Sequence, residues 1–456
     1  MQIRLVGDEV QVPLVDGASA RYVNLDCAAS TPPSVEVAAA VNEFLPWYSS
    51  VHRGAGAKSQ RSSEQYEQAR DTLLRFVGGD PATHTVMFPR NTTESLNITA
   101  FRLGLKADDV VLTTVAEHHS NLLPWRRYAR VRYVDVDQDG TFTAEAVIAQ
   151  LDASPRPRVL AITGGSNVTG WLPPLPSIVA AANARGVLVV VDAAQLAPHR
   201  PIAMSRLGID FLVWSGHKMH APFGAGALIG PRHLFAEGAP MLVGGGSVAA
   251  VGLDDVIWAP PPDRDEAGSP NVVGVVALDA AVRELTQRGW ASMLKHERSL
   301  LGELDRQLGA IPELIRYGPI SGTDRLPVAA FNVAAMPHAL VASRLSHEYG
   351  IGVRSGCFCA HPYLIRLLGL DDHQIEAYRT NVRNGQHELL PGAVRASAGL
   401  GTSLPDIQRL GSALREIINT PDANDSYTVT ATGEFTRSPA AARLPTQRRT
   451  AAFLPA

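Results

Sequence analysis

The sequence has few cysteines and no long apolar run. Three cysteines in 456 residues, Cys27, Cys357 and Cys359, cannot build a disulfide framework, and their odd number leaves at least one thiol free. The N-terminus lacks the basic and apolar regions of a signal peptide, and no stretch approaches the roughly 18 apolar residues of a membrane span. These absences predict a cytoplasmic protein without a membrane segment.

An excess of charge of one sign is also missing. The 41 basic and 44 acidic residues give a formal net charge of -3, which offers no electrostatic reason to bind nucleic acid or an anionic membrane. Cys357 and Cys359 form a C-x-C pair without a second ligand cluster, so we predict no metal site. With 45% hydrophobic and 19% charged residues, the composition is typical of a soluble globular protein, and a small-molecule substrate fits it best.

Short apolar, β-branched runs alternate with helical patterns from residue 85 onward. They predict strands at 85–88, 110–113, 131–136, 159–163, 187–191 and 211–214. This alternation predicts an α/β domain with a mostly parallel sheet flanked by helices. Helical patterns at 34–45 and 62–77 precede the sheet.

The part of the chain after these strands has a different organisation. Segment 254–270 is rich in proline and predicts an ordered crossing loop. Helical patterns at 274–287, 291–308 and 339–349 surround an apolar run at 327–333, which indicates a smaller α+β domain. We find no internal repeat.

These patterns divide the chain into four parts. We predict an N-terminal segment (1–21) and a large domain (22–289), whose helices at 34–77 partly pack with the small domain. A small C-terminal domain (290–418) follows. Residues 419–456 lack periodicity and are rich in Thr, Ala, Pro, Ser and Arg, so we predict a flexible tail.

Polar side chains follow two of the predicted strands. The strand at 211–214 leads into Ser215, His217 and Lys218, and the strand at 187–191 leads into Asp192 and Gln195. Ligands bind at the carboxyl ends of strands in such sheets, where a lysine can form an imine and an acid can keep a pyridine nitrogen protonated. Taken singly, a lysine here is also compatible with a solvated side chain and an aspartate with a helix N-cap.

The order and spacing of these residues resemble a known family. Asp192-x-x-Gln195 followed by Ser215-x-His217-Lys218 resembles the active site of class V, fold-type I pyridoxal 5'-phosphate (PLP) enzymes. Further motifs resemble those of cysteine desulfurases and selenocysteine lyases, at 24–30, 51–54, 91–97, 117–121, 166–170 and 266–271. The resemblance spans residues 22–402. It implies a large domain with a mostly parallel seven-stranded sheet, a smaller α+β domain, and PLP held by Lys218.

The resemblance also assigns cofactor contacts. It implies phosphate contacts from Thr93 and its neighbour Thr92 at the start of a helix, where free N–H groups favour an anion, and from Ser215 and His217. His118 stacks on the cofactor ring, with His119 as the alternative. The remaining implied contacts are Asn167 and Gln195 to the phenolic oxygen, Asp192 to the ring nitrogen, and Ser269, in place of the usual threonine, to the phosphate of the other subunit of a homodimer.

The sulfur chemistry rests on one loop. Arg354-Ser-Gly-Cys-Phe-Cys-Ala-His-Pro362 resembles the family loop R-x-G-x-x-C-A-x-P, in the compact form of the group II members. The resemblance implies that Cys359 takes the substrate sulfur as a persulfide while alanine leaves; a small buried thiol is the alternative. Phe358 replaces a residue that is commonly polar. Cys357 is either an accessory thiol or a substitution without a role, and we favour the second reading.

Substrate contacts also follow from the resemblance. The implied carboxylate ligand is Arg395, because a planar guanidinium matches a carboxylate in two hydrogen bonds. Arg354, His52 and Asn167 complete the implied substrate set. Arg395 lies farther from Cys359 than in typical members, with the segment 364–392 enlarged.

Three hypotheses follow from the sequence. The first is a cysteine desulfurase or selenocysteine lyase that passes sulfur to an acceptor protein. The second keeps PLP but changes the reaction to that of a C–S lyase, an epimerase or an aminotransferase acting on a specialised substrate. The third is a non-catalytic sulfur-relay binding protein.

Overall fold

The N-terminal part of the chain forms a hairpin, a short strand and two helices. A computed structural model describes residues 2–320, 324–386 and 390–437. The first elements are β1 (Gln11–Pro13), β2 (Ser19–Arg21), β3 (Val23–Asn24), α1 (Val35–Phe44) and α2 (Ala57–Phe76). The two helices pack mainly against a long helix of the large domain, α9 (Val272–Arg288). Helix α2 begins five residues before the predicted start at residue 62.

A seven-stranded sheet forms the centre of the large domain. Its strands are β4 (His84–Met87), β5 (Val110–Thr114), β6 (Arg130–Val134), β7 (Val159–Thr163), β8 (Leu188–Asp192), β9 (Phe211–Ser215) and β10 (Gly226–Pro231). The spatial order is β4-β10-β9-β8-β7-β5-β6, and only β10 pairs antiparallel with its neighbours. Every residue of β5, β7 and β9 is buried, as expected where helices cover both faces. The predicted mostly parallel sheet is confirmed.

Helices connect these strands and cover the sheet. They are α3 (Thr92–Arg102), α4 (Leu123–Arg126), α5 (Ala144–Asp152), α6 (Leu175–Asn183), α7 (Met204–Leu207) and α8 (Arg232–Phe235), with α9 closing the domain. Helix α3 begins because the Asn91 side chain accepts a hydrogen bond from the N–H of Glu94. In the described parts of the chain, no helix is both long and apolar enough to cross a membrane.

The crossing loop predicted at 254–270 is partly wrong. Residues Val256–Trp258 form β12, which pairs antiparallel with β11 (Val248–Val251) in a separate ribbon. The rest of the segment is irregular apart from one short helical turn at Asp263–Asp265. The strand is compatible with the prolines because they all follow it, beginning at Pro260.

The C-terminal part builds a second, smaller sheet. Its elements are α10 (Trp290–Gly309), β13 (Leu314–Tyr317), β14 (Val328–Val333), α11 (His338–Tyr349), β15 (Ile351–Gly352), β16 (Arg354–Gly356), α12 (His361–Leu368), α13 (Asp372–Arg383), β17 (Ala393–Ser397) and α14 (Leu404–Asn419). Strands β13-β14-β17-β16 form an antiparallel sheet in that order. The enlarged segment predicted at 364–392 contains α13, and its residues 387–389 lie outside the described residues.

One domain boundary differs from the prediction. Val23 and Leu25 belong to the small-domain core rather than to the large domain, because β3 pairs in parallel with β15. The N-terminal segment up to β3 therefore packs with the small domain, and the chain enters the large domain only afterwards.

The prediction of a flexible tail is wrong for residues 419–437. Asn419 ends α14, and a hairpin of β18 (Tyr427–Val429) and β19 (Phe435–Arg437) follows. Individual contacts hold this segment in place, and such contacts require no periodic pattern of apolar residues in the sequence. The Tyr427 hydroxyl donates to Glu348 (2.9 Å), and Ser343 donates to the carbonyl of Phe435 (2.7 Å). The rest of the predicted tail, 438–456, lies outside the described residues.

Candidate active site

A cavity of about 530 Å³ lies where the carboxyl ends of the central strands meet the small-domain strands β16 and β17. Twelve of the predicted site residues line it: Thr92, Thr93, His118, Asn167, Asp192, Gln195, Ser215, His217, Lys218, Arg354, Cys359 and Arg395. The sheet and the Cys359 loop therefore bring residues that are far apart in sequence to one site.

Lys218 ends the short helical turn Gly216–Lys218 that follows β9, near Asp192 at the end of β8. Burial lowers the pKa of the Lys218 ammonium to about 8, while the negative charges of Asp192 and Cys359 act in the opposite direction. Burial raises the pKa of Asp192, whose Oδ1 accepts a hydrogen bond from the N–H of Ala194 (2.9 Å). A lysine with a lowered pKa is easily converted to the neutral amine, which is the nucleophilic form.

The start of α3 forms a cluster of hydroxyl and N–H donors. The N–H of Thr92 donates to the hydroxyl oxygen of Ser215 (2.8 Å), and the two hydroxyls lie 2.7 Å apart. The Thr93 hydroxyl lies 2.6 Å from that of Ser120. Helix α3 has eleven residues, so its N-terminal dipole favours an anion at this end of the cavity.

His118 is held in one orientation by Ser120. The N–H of Ser120 donates to Nδ1 of His118 (3.1 Å), so in the neutral ring the hydrogen lies on Nε2. Burial, with the nearby charge of Lys218, lowers the pKa of His118 to about 3. The imidazole is therefore neutral at physiological pH.

His119, the alternative to His118, does not line the cavity. Its Nε2 accepts a hydrogen bond from the N–H of His361 (3.1 Å), and the two rings are stacked with centroids 4.9 Å apart. The geometry therefore favours His118 as the residue that faces a ligand.

The Cys359 loop is fixed by three successive carbonyl groups. The carbonyl of Cys357 accepts from the N–H of Ala360 (2.9 Å), that of Phe358 from the Asn167 amide (2.8 Å), and that of Cys359 from the N–H of His119 (2.7 Å). Phe358 and Cys359 have φ values of 55 and 53, in the left-handed region that L residues rarely adopt. Such strain is typical of functional loops that the surrounding structure holds in place.

Arg395 is buried with part of its guanidinium uncommitted. Only 2% of the residue is exposed. Nη1 donates to the carbonyl of Asn167 (2.9 Å) and Nη2 to Asp26 (2.8 Å), while Nε has no hydrogen-bond partner among the described residues. The second oxygen of Asp26 pairs with Arg354 (3.2 Å). A buried donor without a partner is costly, so Arg395 is held beside the cavity at an energetic cost.

Two predicted site residues do not line the cavity within one chain. His52 is exposed, and its Nε2 lies 3.2 Å from Glu67. Ser269 is exposed in the loop before α9. Both predictions came from the resemblance, and the resemblance itself assigned Ser269 to the neighbouring subunit.

Several lining residues were missed at the level of sequence. They include Ala28, Ala29, Asn91, Ser120, Thr163, Gly165, Ala194, Ser355, Gly356 and Phe358. Ser120 is the most informative of these, because its N–H and hydroxyl contact both His118 and Thr93. It lies within the motif at 117–121 and is a polar residue directly after two histidines, which was the available signal.

Glu117 is a buried carboxyl group that connects two segments of this site. It is fully buried and accepts hydrogen bonds from Asn121 (2.7 Å) and from the N–H of Thr163 (2.9 Å). Burial raises the pKa of Glu117 to about 8. It thus joins the His118 turn to the end of β7. Within the described ranges, no group of three or more His, Cys, Asp or Glu residues could hold a metal ion.

Comparison with known proteins identifies the family. The sequence matches Aminotransferase class-V over residues 23–410. The chain belongs to this family. A cysteine desulfurase of Klebsiella pneumoniae (strain 342) is 33% identical over 412 residues, covering 88% of this chain and 94% of that protein. One of Yersinia pestis (strain Pestoides F) is 34% identical, covering 87% and 93%.

Solved structures of cysteine desulfurases agree with this assignment. An apo cysteine desulfurase from Thermococcus onnurineus NA1 has a TM-score of 0.78 and 30% identity, covering 87% of this chain and 95% of that one. The S-sulfonic acid form of the cysteine desulfurase CsdA from Escherichia coli has a TM-score of 0.74 and 31% identity, with the same coverage. The predicted family, fold-type I architecture and PLP-dependent sulfur-transferring enzyme class are thus confirmed.

Proposed function

We propose that this protein is a PLP-dependent cysteine desulfurase that converts L-cysteine to L-alanine and keeps the sulfur as a persulfide on Cys359. The observation that carries the proposal is that Lys218, Cys359 and Arg395 line the same cavity. An amine, a thiol and a carboxylate ligand are the three groups that this reaction requires of the protein. The cysteine desulfurases among the relatives support the same reading.

The residues of the cavity fit PLP. The donors at the start of α3, with Ser215, suit its phosphate; Lys218 suits its aldehyde; and Asp192 suits its ring nitrogen. Asn167 and Gln195 supply amide groups beside them. When bound, PLP would supply an electron sink for the electron pair released as the α-proton of the substrate is removed.

Lys218 is the residue we assign to proton transfer. Its lowered pKa, about 8, leaves an appreciable neutral fraction near neutral pH, and the neutral amine accepts the proton from the substrate α-carbon. His118, neutral and oriented by Ser120, packs at the same cavity without carrying charge. The proton held on Lys218 is then available to return to substrate carbon.

Cys359 is the residue we assign to sulfur transfer. Its thiolate attacks the sulfur of bound cysteine, so that a bond forms between the two sulfur atoms and the Cβ–S bond of the substrate breaks. The electron pair of the broken bond stays with the substrate, whose Cβ becomes the methyl group of alanine after protonation. The products are alanine and one persulfide, and no external oxidant or reductant is needed.

Arg395 orients the substrate. Arg395 lines the cavity, and its planar guanidinium has the fork geometry that suits the carboxylate of an amino acid. Asp26 offsets part of the positive charge of Arg395 and Arg354. The two arginines and the one aspartate together still carry a net charge of +1, which favours an anionic substrate group.

We further propose a cytoplasmic homodimer that passes its sulfur to an acceptor protein. The assignment of Ser269 to a neighbouring subunit requires a second copy of the chain. The ribbon of β11 and β12 exposes Val251, Leu253 and Ile257, which is apolar surface that a second copy could cover. A reducing compartment suits an enzyme whose cysteines are free.

A labelling experiment tests this function. Holoenzyme is incubated with ³⁴S-labelled L-cysteine, alanine is quantified, and the peptide 355–366 is examined by mass spectrometry for added sulfur. We expect equal amounts of alanine and persulfide, loss of both in Cys359→Ala, and no change in Cys27→Ala, the matched control at a buried cysteine outside the cavity. Alanine release by Cys359→Ala at the normal rate, or pyruvate and ammonia in place of alanine, would contradict the proposal. Selenocysteine in place of cysteine tests the lyase activity in the same assay.

A further inference from the structure

A second cavity of about 740 Å³ lies beside the active-site cavity. The two cavities share three wall residues of the same loop, Ser355, Gly356 and Cys357. Cys359 lines only the first cavity, whereas Cys357 lines both. The half-buried thiol of Cys357 is therefore located between the nucleophile and the second cavity.

The second cavity is enclosed partly by a segment that lies outside the family match. Helix α11, helix α13 and the β18–β19 hairpin form its walls. The hairpin, residues 427–437, lies beyond the family match, which ends at residue 410. Ser343 on α11 holds the hairpin through its hydrogen bond to the Phe435 carbonyl (2.7 Å). The chain thus uses its C-terminal segment to enclose space next to Cys357.

The turn between the two cysteines places backbone N–H groups beside Cys357. The hydrogen bond from Ala360 to the Cys357 carbonyl closes a four-residue turn whose central residues, Phe358 and Cys359, are both left-handed. In this conformation successive N–H groups point to one side and favour an anion. Burial raises the pKa of the Cys357 thiol, and contact with the N–H groups of Cys359 and Ala360 opposes this rise.

We propose that Cys357 takes the persulfide sulfur from Cys359 and presents it in the second cavity, where a small polar thiol removes it. This proposal rests on the proposed function, because the persulfide must first form on Cys359. It replaces our sequence-based preference, that Cys357 is a substitution without a role. The structure supplies what the sequence lacked, a cavity that Cys357 reaches and Cys359 does not.

The transfer is a thiol exchange that balances without an external redox partner. The Cys357 thiolate attacks the outer sulfur of the Cys359 persulfide. A bond forms between Cys357 Sγ and that sulfur, the bond from the sulfur to Cys359 Sγ breaks, and the Cys359 thiolate leaves and accepts the proton that Cys357 lost. A second exchange of the same kind moves the sulfur to the acceptor thiol.

The chemistry of the second cavity indicates the kind of acceptor. Its volume is in the range of small-molecule sites. Four residues with polar side chains, His338, His347, Ser346 and Tyr378, line it together with Phe435. Hydrogen-bonding groups on several sides suit a polar ligand of low molecular weight.

Sulfur mapping in the wild-type holoenzyme gives the first test. After a single turnover with ³⁴S-cysteine, samples are alkylated at successive times and cleaved after Phe358, which separates the two cysteines. We expect label on Cys359 first and on Cys357 later, as the label on Cys359 declines. Label that stays on Cys359 alone would overturn the relay but leave the desulfurase function intact. Absence of label and of alanine would overturn the desulfurase function, and the relay with it.

Two variants give the second test, with 2-mercaptoethanol as the acceptor. For Cys357→Ala we expect an unchanged first-turnover burst of alanine and at least a tenfold lower steady-state rate. For Ser346→Trp, which narrows the second cavity, we expect an unchanged burst and a half-saturating thiol concentration at least tenfold higher. Cys27→Ala is the control for loss of a thiol. Wild-type steady-state rates in both variants would overturn the relay.

Discussion

Arg395 donates a hydrogen bond from Nη1 to the backbone carbonyl of Asn167, 2.9 Å away. Arg395 lies on β17 of the small domain, and Asn167 follows β7 of the large-domain sheet. The amide of Asn167 in turn donates to the Phe358 carbonyl (2.8 Å). Arg395 and the Cys359 loop are therefore positioned by the same large-domain residue.

The first prediction concerns substrate affinity. Replacement Arg395→Lys keeps the charge but loses the planar guanidinium fork, so the KM for cysteine should rise at least tenfold, or about 1.4 kcal/mol. Steady-state alanine production measures this effect, with the absorbance of bound PLP expected to stay unchanged. Arg379→Lys on the exposed α13 is the matched control. An unchanged KM would remove Arg395 from substrate binding.

The second prediction concerns cofactor affinity. Ser215→Ala removes the hydroxyl that contacts both the N–H and the hydroxyl of Thr92, so the PLP affinity of the apoenzyme should fall about tenfold. Ser95→Ala is the control, because it removes a buried hydroxyl that lies outside the cavity on α3, the helix of Thr92. Titration of the apoenzymes with PLP, followed by absorbance, compares the two. Equal affinities would show that Ser215 does not serve the phosphate.

The third prediction concerns the pH dependence of PLP uptake. Because burial lowers the pKa of Lys218 to about 8, the rate of PLP uptake by the apoenzyme should rise about fivefold from pH 7 to pH 8 and level off by pH 9. Stopped-flow absorbance measures the rate at each pH. A rate that still rises about eightfold between pH 9 and pH 10 would indicate an ordinary lysine pKa and contradict the assigned burial effect.

The fourth prediction concerns stability in acid. Burial lowers the pKa of His220 to about 4 in the folded protein, so between pH 6.5 and 4 the unfolded state binds the extra proton. Stability from this residue is therefore complete above pH 6.5 and is lost as the pH falls. His220→Asn should reduce the slope of unfolding free energy against pH by about 1.4 kcal/mol per pH unit in this window. Urea unfolding at pH 5, 6 and 7 measures both slopes, and parallel slopes would contradict the prediction.

Strand ends could be predicted from the sequence because burial on both faces leaves a clear signal. The apolar runs 188–191 of β8 and 211–214 of β9 are continuous, so Asp192 and Lys218 were expected near the strand ends at the edge of the sheet. Strand β10 gave no such signal, because it contains Gly226 and Gly230. A Cβ at Gly226 would lie 2.7 Å from the carbonyl of Trp214, and one at Gly230 would lie 2.6 Å from the Phe211 ring, so packing selects glycine there.

The sequence could not determine which resemblance-based contacts occur within one chain. His52 was predicted to bind substrate, yet it is exposed, with its ring beside Glu67 and the buried Tyr66. The role of Cys357 depends on a cavity walled by α11, α13 and the C-terminal hairpin. Such long-range packing leaves no local pattern, and it became visible only in three dimensions.

The left-handed backbone at Phe358 and Cys359 has a consequence for protein engineering. A free peptide of residues 354–362 would rarely populate this conformation, because a side chain at positive φ is disfavoured by steric contact with its own backbone. Transplanting the nine-residue motif to another scaffold would therefore transfer the Cys359 thiol without the left-handed backbone that orients it. A useful graft must also carry the donors from Asn167 and His119, which belong to two other segments of the chain.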